Sequence, residues 1–133
     1  FGAKIGKNVV IRPSVKITYP WKLTLGDYAW VGDDAVLYTL GEITIGANSV
    51  VSQKCYLCTG SHDFMSQHFD ITASPIVIGE KCWLATDVFV APGVSVGDGT
   101  VVGARSSVFK SLPANKVCRG NPAVVIRERV ETD

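Results

Sequence analysis

The sequence has little excess charge of either sign. Thirteen Lys and Arg residues against twelve Asp and Glu residues give a formal net charge of +1 at pH 7 over 133 residues. A protein that binds nucleic acid or an anionic membrane through its overall charge needs a large positive excess. We therefore expect no nucleic-acid partner, and any basic site must be local.

Long apolar runs are missing as well. No run of 18 apolar residues is present, and the first residues lack the charged, apolar and small-residue pattern of a signal peptide. We expect no membrane insertion and a soluble, cytoplasmic protein. Because the chain begins with Phe1 rather than Met, the sequence leaves open whether an N-terminal segment is missing.

Helical periodicity is absent, and an aliphatic residue instead returns every six positions. It occurs at Ile78, Leu84, Val90, Val96, Val102 and Val108, with Gly or Ala following each of them up to Val102. Four places after each aliphatic residue stands a smaller or β-branched one: Cys82, Val88, Val94, Thr100 and Ser106. Stacked coils of three such strands bury a continuous core. The pattern predicts a β-solenoid with coils about 4.8 Å apart, and a small corner residue where the backbone bends tightly or takes a positive φ.

The six-residue spacing continues towards the N-terminus, except at two slips, where the next aliphatic residue comes two positions late. The aliphatic positions are Ile5, Ile11, Ile17, then Leu25, Val31, Leu37, then Ile45, Val51 and Leu57. Slips at one corner are absorbed as wider turns, so we predict a single all-β domain over residues 1–133. Pro113 and Pro122 mark turns beyond the last repeat, which predicts a capping tail over residues 112–133.

Four cysteines raise the possibility of a metal site, with Cys55 and Cys58 spaced as a ligand pair. However, Cys55 and Cys82 fall at the inward small position of the repeat, and two further ligands at suitable spacing are not evident. We predict core thiols and no metal.

An insertion of about fifteen residues separates Leu57 from Ile78. This loop, residues 59–75, contains both histidines of the chain, His62 and His68. A loop this long in a tight solenoid is usually functional or disordered, and its aromatic residues argue against disorder. Because an ordinary histidine accepts a proton near neutral pH, His62 is the candidate general base. Asp63 or Glu42 could orient its ring, and His68 is interpreted as a polar loop residue.

Three motifs together resemble one enzyme family. They are the six-residue repeats that start at Ile78, the run Thr59-Gly60-Ser61-His62, and the C-terminal run Gly120-Asn121-Pro122-Ala123. The chain is similar to the left-handed β-helix acyltransferases, in particular the acetyl-CoA-dependent sugar O-acetyltransferases. It most resembles the colanic acid biosynthesis acetyltransferases and the related galactoside, maltose and nodulation-factor O-acetyltransferases. The resemblance implies a left-handed parallel β-helix and a homotrimer with active sites between subunits.

The resemblance also implies roles for individual residues. His62 would act as general base in direct transfer of an acetyl group from acetyl-CoA to a hydroxyl of a sugar or polysaccharide precursor, with no metal. The pantetheine would contact Trp83, Ala85, Thr86, Gly103 and Ala104, and the CoA phosphates would meet Lys110 and Arg127. Thr39 and Asp63 would contact the acceptor.

Some positions depart from the family pattern and leave alternatives open. Arg105, Phe109 and Val124 stand where relatives often have Gly, Thr and a basic residue, so the affinity for the donor is left open. A sugar N-acetyltransferase or serine acetyltransferase would use the same base, and a non-catalytic solenoid scaffold needs none. A γ-type carbonic anhydrase would need three zinc-binding histidines, whereas this chain has two.

Overall fold

The computed structural model of the chain describes residues 2–130. One 3-10 turn spans Pro20–Lys22, and the remaining regular elements are short strands. In chain order the strands are β1 (Lys4–Ile5), β2 (Val10–Ile11), β3 (Lys16–Ile17), β4 (Leu23–Leu25), β5 (Trp30–Val31), β6 (Val36–Tyr38), β7 (Ile43–Ile45), β8 (Val50–Val51), β9 (Tyr56–Cys58), β10 (Gly60–His62), β11 (Ile71–Ala73), β12 (Ile76–Ile78), β13 (Trp83–Leu84), β14 (Phe89–Val90), β15 (Ser95–Val96), β16 (Val101–Val102), β17 (Ser107–Val108), β18 (Lys116–Gly120) and β19 (Ala123–Glu128).

The strands stack into the three faces of a prism. Face A has the order β1-β4-β7-β12-β15, face B has β2-β5-β8-β13-β16-β18-β19, and face C has β3-β6-β9-β14-β17. Neighbouring strands in each face are parallel and in register up to β18, so Leu25, Ile45 and Ile78 lie above one another. The predicted solenoid is confirmed as a left-handed parallel β-helix of about six coils.

The core consists of the residues that the sixfold rule points inward. From Leu25 to Val108 the aliphatic repeat positions are each at most 2% exposed, as are Ala29, Ala35 and Cys55 at the second inward position. Side chains of the first coil are less covered, and Ile5 is 46% exposed because β1 to β3 form the outer edge of the three faces. The periodicity therefore predicts burial well inside the stack and less well at its end.

Corner glycines are required by close contact between coils rather than by a positive φ. A Cβ on Gly26 would lie 2.5 Å from the backbone nitrogen of Ala47, and one on Gly46 would lie 2.6 Å from the backbone of Gly79. The left-handed conformation falls two residues later, at Tyr28 (φ 63°) and Asn48 (φ 59°). Of the two predicted reasons for a small corner residue, the tight approach applies at these positions.

The corner that leads from face C to face A carries every irregularity noted in the sequence. The two slips form the wider turns after β3 and after β6, and the insertion follows β9 at the same corner. Residues 59–75 are not a plain loop, because β10 and β11 pair as an antiparallel hairpin with His62 opposite Ile71. The hairpin therefore projects from the prism without interrupting the stack.

The C-terminal residues first extend the stack and then reverse. Leu112 bridges to Val96 on face A, and β18 pairs in parallel with β16, which buries Cys118. The chain turns at Asn121 and Pro122, and β19 returns antiparallel along the edge of face B. Within the described residues, the predicted capping tail is thus a partial sixth coil and an edge strand, and residues 131–133 lie outside that part.

The inward cysteines are free thiols, as predicted for Cys55 and Cys82. Burial raises the pKa of the Cys55 thiol from the usual 9.0 to about 11, and it raises the pKa of Cys82 in the same direction. Between pH 9 and about pH 11, the Cys55 thiol stays protonated in the folded protein but loses its proton in the unfolded chain. The free energy of unfolding should therefore fall as pH rises above about 9.

We expect Cys55 to contribute about 1 kcal/mol to the loss of stability between pH 8 and pH 10. Urea unfolding at the two pH values should show a smaller loss for Cys55→Ala than for the wild-type protein. Cys58→Ala is the matched control, since Cys58 lies in the same coil and is only half-buried. Equal losses in all three proteins would contradict a protonated core thiol.

Candidate active site

The hairpin is fixed to the prism through Thr59. Its buried side-chain oxygen donates to the carbonyl of Tyr38 (2.5 Å) and accepts from the backbone N–H of Gly41 (2.8 Å). Its own carbonyl accepts from the N–H of Ser74 (2.9 Å), so both ends of the hairpin meet at this residue. Gly60 then passes the ring of Tyr38 so closely that a Cβ would lie 2.7 Å from it. The root of the hairpin is therefore held in a single position.

His62 lies at the end of β10 with its ring exposed to solvent. Its Nδ1 is 2.9 Å from the carbonyl oxygen of Phe69, on the returning side of the hairpin. A carbonyl can only accept a hydrogen bond, so Nδ1 must carry the proton in this contact. Nε2 of the neutral ring is then unprotonated and able to accept a proton.

The group that orients the ring is the Phe69 carbonyl, not a carboxylate of Asp63 or Glu42 as the sequence suggested. The Asp63 carboxylate instead accepts a hydrogen bond from the backbone N–H of Met65 (2.9 Å). The backbone carbonyl of Asp63 accepts one from the Ser66 hydroxyl. Asp63 thus shapes the hairpin turn one residue after the candidate base. A backbone partner carries no sequence signal, which is why sequence reasoning missed it.

Thr39 was predicted to contact the acceptor, and its side chain is buried in the folded chain. Its hydroxyl donates to the carbonyl of Tyr19 (3.0 Å) and accepts from the N–H of the same residue (2.7 Å). Thr39 stands two residues after Leu37, as Thr59 stands two residues after Leu57. Both threonines fasten one coil to the coil beneath at the same corner, and that repeat could have revealed the structural role.

Five of the predicted donor residues come together in one open groove, here called the donor groove. The groove follows the corner between faces B and C, encloses about 470 Å³, and is lined by Trp83, Ala85, Thr86, Gly103 and Ala104 with Ser52, Gln53 and Val101. The Trp83 indole N–H donates to the Ser52 hydroxyl (2.9 Å), and the Thr86 hydroxyl donates to the Gln53 carbonyl (3.0 Å). These bonds hold the groove wall in place.

Sequence reasoning missed Ser52 and Gln53. The signal that could have found them is register, because Val51, Leu84 and Val102 lie above one another. The two residues that follow each of these positions must then stack at the same corner. Ser52 and Gln53 therefore continue the row formed by Ala85 with Thr86 and by Gly103 with Ala104.

Lys110 and Arg127 are not brought together. Lys110 lines a small apolar pocket with Phe109, Pro122, Ala123 and Val124. Arg127 is opposite Val117, three residues further along β19 than Val124, which corresponds to about 10 Å of extended strand.

The candidate base and the donor groove lie at different corners of the same chain. The hairpin leaves the corner between faces C and A, whereas the groove follows the corner between faces B and C. None of the residues that line the groove belongs to residues 59–75. A single chain in this arrangement does not place His62 over its own groove.

Faces B and C present apolar rows to solvent. The outward positions of face B are Val10, Trp30, Val50, Trp83, Val101 and Val117. On face C, Tyr56 and Phe89 have ring centroids 6.1 Å apart, and Phe89 and Phe109 have centroids 6.0 Å apart. Continuous exposed apolar surface of this kind marks an interaction site.

Two further observations concern the described part of the chain as a whole. Within residues 2–130, no helix has the length and apolar character needed to cross a membrane. Over the same range, no three His, Cys, Asp or Glu side chains are grouped so that they could hold a metal ion.

Comparisons with known proteins agree with this geometry. The sequence profile of the family described as bacterial transferase hexapeptide (six repeats) matches residues 75–110. A protein of Escherichia coli (strain K12) named as a colanic acid biosynthesis acetyltransferase is 90% identical over all 133 residues, which cover 73% of that protein. The galactoside O-acetyltransferase of the same organism is 30% identical over 98% of this chain and 66% of its own length.

A solved structure shows the same fold. A hexapeptide-repeat acetyltransferase from Vibrio cholerae O1 biovar eltor, crystallised with acetyl coenzyme A, superposes with a TM-score of 0.92 at 25% identity. The match covers 98% of this chain and 73% of that one. With the sixfold core, the histidine hairpin and the corner groove, these likenesses show that the chain belongs to the hexapeptide-repeat acetyltransferases, in the group that includes the colanic acid biosynthesis enzyme.

Proposed function

We propose that this protein transfers the acetyl group of acetyl-CoA to a hydroxyl of a sugar in a polysaccharide precursor, with His62 as general base. The observation that carries the proposal is the contact between His62 Nδ1 and the Phe69 carbonyl, which leaves Nε2 free on an exposed ring. The reaction would take place in the cytoplasm, where acetyl-CoA is available.

The nature of the two substrates is supported by the relatives. One relative is named for colanic acid biosynthesis, another is an O-acetyltransferase that acts on galactosides, and the Vibrio cholerae structure holds acetyl coenzyme A. The donor groove suits a long flexible substrate because it is open, mostly apolar and lined by fixed side chains. Trp83, Ala85, Thr86, Gly103 and Ala104 would hold the pantetheine, and Lys110 and Arg127 would meet the CoA phosphates.

In this proposal the chemistry of the chain's own residues is a proton transfer. The His62 Nε2 takes the proton of the acceptor hydroxyl while the hydroxyl oxygen forms a bond to the thioester carbonyl carbon. The C–S bond then breaks, the thiolate leaves, and the proton on Nε2 is available to it. No acyl-enzyme is formed, because the hydroxyl attacks the thioester directly. A positioned base of this type typically contributes 10²- to 10⁴-fold to the rate.

The position of the base also supports a homotrimer with active sites between subunits. Since His62 and the donor groove lie at different corners of one prism, the hairpin of one subunit would have to reach the groove of its neighbour. The aromatic row on face C, formed by Tyr56, Phe89 and Phe109, offers the surface for such an association. Three chains of 14.2 kDa would form the particle.

The test is an acetyl-transfer assay with radiolabelled acetyl-CoA and de-O-acetylated colanic acid. We expect label in the polysaccharide that mild alkali removes, because esters hydrolyse under conditions in which amides survive. Alkali-stable label would instead establish N-acetylation. Sedimentation of the same preparation should give the mass of three chains, and a monomer that remains fully active would contradict a shared site.

A further inference from the structure

A second groove lies lower on the same corner as the donor groove and has no role in the transfer described above. This lower groove runs beside the first three coils, encloses about 500 Å³, and is lined by residues that include Arg12, Trp30, Asp33, Ser52, Gln53 and Lys54. Ser52 and Gln53 also line the donor groove, so the two grooves meet at these residues. A molecule in the lower groove would therefore end beside the donor.

The floor of the lower groove is an exposed indole. Trp30 points outward from β5, is 48% exposed, and pairs in register with Val50. The indole N–H of Trp83 donates to Ser52, whereas no hydrogen bond of the Trp30 indole N–H is found among the described residues. Trp30 thus offers a flat apolar surface together with a free hydrogen-bond donor.

The wall of the lower groove is polar and already ordered. The Arg12 Nε lies 3.2 Å from Oδ1 of Asp33, and the Ser14 hydroxyl donates to the same oxygen (3.3 Å). The Ser14 oxygen in turn accepts from the backbone N–H of Asp34 (2.9 Å). These contacts fix the Asp33 carboxylate and leave its second oxygen for a ligand. With Lys54 and Asp34 included, two positive and two negative side chains line the groove, so it does not select a highly charged molecule.

These features match the chemistry of a carbohydrate. One face of a pyranose ring is rich in C–H groups and stacks on an indole, while its hydroxyls exchange hydrogen bonds with carboxylate, guanidinium and carboxamide groups. The groove extends over two coil spacings, about 10 Å, which is roughly two pyranose rings. It is therefore longer than a single sugar requires.

We propose that the lower groove binds a sugar residue next to the one that is acetylated, with Trp30 as its stacking platform. The acceptor is then an oligosaccharide or a longer glycan rather than a free monosaccharide. This inference rests on the proposed function, because it assigns the acceptor of that same reaction. It adds Trp30, Arg12 and Asp33 as residues that determine acceptor specificity.

The test measures binding of a de-O-acetylated colanic acid oligosaccharide of two to four repeat units by calorimetry, without acetyl-CoA. We expect Trp30→Ala to raise the Kd of the oligosaccharide about 10- to 50-fold, as for loss of a central aromatic contact. The Kd of acetyl-CoA should be unchanged. Trp21→Ala is the matched control, since Trp21 is 61% exposed but lies at another corner, outside the groove.

Three outcomes would overturn the inference. First, Trp30→Ala could bind the oligosaccharide as tightly as the wild type. Second, its affinity for acetyl-CoA could fall by the same factor as its affinity for the oligosaccharide, which would assign Trp30 to the donor site. Third, it could dissociate into single chains on sedimentation, which would make this face a subunit contact. The proposed function fails separately: wild-type protein that binds the oligosaccharide but transfers no acetyl group refutes the reaction alone. Transfer to monosaccharides with no oligosaccharide binding refutes the lower-groove assignment alone.

Discussion

Replacing His62 by alanine should lower kcat for acetyl transfer by about 10²- to 10⁴-fold. The side chain is exposed and makes one hydrogen bond, to the Phe69 carbonyl, so the fold should be unaffected. The Kd of acetyl-CoA should change little, because the donor is proposed to lie along the groove wall, and the neighbour's hairpin would bring only the base to the thioester. The measurement is steady-state kinetics with saturating donor, together with calorimetric titration of acetyl-CoA.

The chain supplies its own control for this prediction. His68 lies in the same hairpin, is also exposed, and is the other histidine of the sequence. His68→Ala should keep kcat within about threefold of the wild-type value if the two histidines differ in function as their positions indicate. Normal turnover by His62→Ala, or an equal loss in both variants, would refute the base assignment.

The second large effect is expected from filling the donor groove. Ala104→Trp places an indole where the pantetheine is proposed to lie, and should weaken acetyl-CoA binding roughly 50-fold or more. Ala104 is exposed in a turn, directly before Arg105 in the left-handed conformation, so a larger side chain needs no core space. Calorimetry with acetyl-CoA and thermal unfolding would measure the two properties independently.

A matched control exists at another corner. Ala114 is likewise exposed in a turn and directly precedes a left-handed residue, Asn115. Ala114→Trp should therefore reproduce any cost of placing an indole in such a turn while acetyl-CoA binding stays normal. If Ala104→Trp bound acetyl-CoA as tightly as the wild type, or if both variants lost the same affinity for it, the donor groove would not be the acetyl-CoA site.

Mixing the two inactive variants tests the shared site directly. A trimer assembled from His62→Ala and Ala104→Trp chains contains interfaces at which a normal hairpin meets a normal groove. At a donor concentration well below the Kd of Ala104→Trp, the co-refolded proteins should therefore be more active than either variant refolded alone. No recovery in mixed trimers of verified composition would place base and groove in the same chain.

The fold could be predicted from the sequence because its rule is local and repeats. Inward residues such as Leu84 and Val102 recur every six positions, and each recurrence specifies the same burial and the same neighbour in the next coil. The rule does not extend to residues 59–75, where the period is lost. The antiparallel pairing of β10 with β11 depends on backbone contacts that no spacing reveals.

The candidate site could be predicted in part for the same reason. Donor residues such as Ala85 and Gly103 share a register, so their stacking follows from the repeat. The Phe69 carbonyl was not predictable, because any residue at position 69 would offer one. Thr39 was assigned to the acceptor by analogy alone, and its burial against Tyr19 shows that a threonine at a coil corner can serve the backbone instead.

The hairpin has a consequence for how the chain folds. Most strand pairs join residues about 20 positions apart, such as Leu23 with Ile43, but Ile43 pairs with Ile76 across the insertion. Closing the longer segment costs only about 0.4 kcal/mol more in chain entropy. The coils on either side of the hairpin can therefore pair almost as readily as coils joined by an ordinary corner, and the length of the hairpin can vary at little thermodynamic cost.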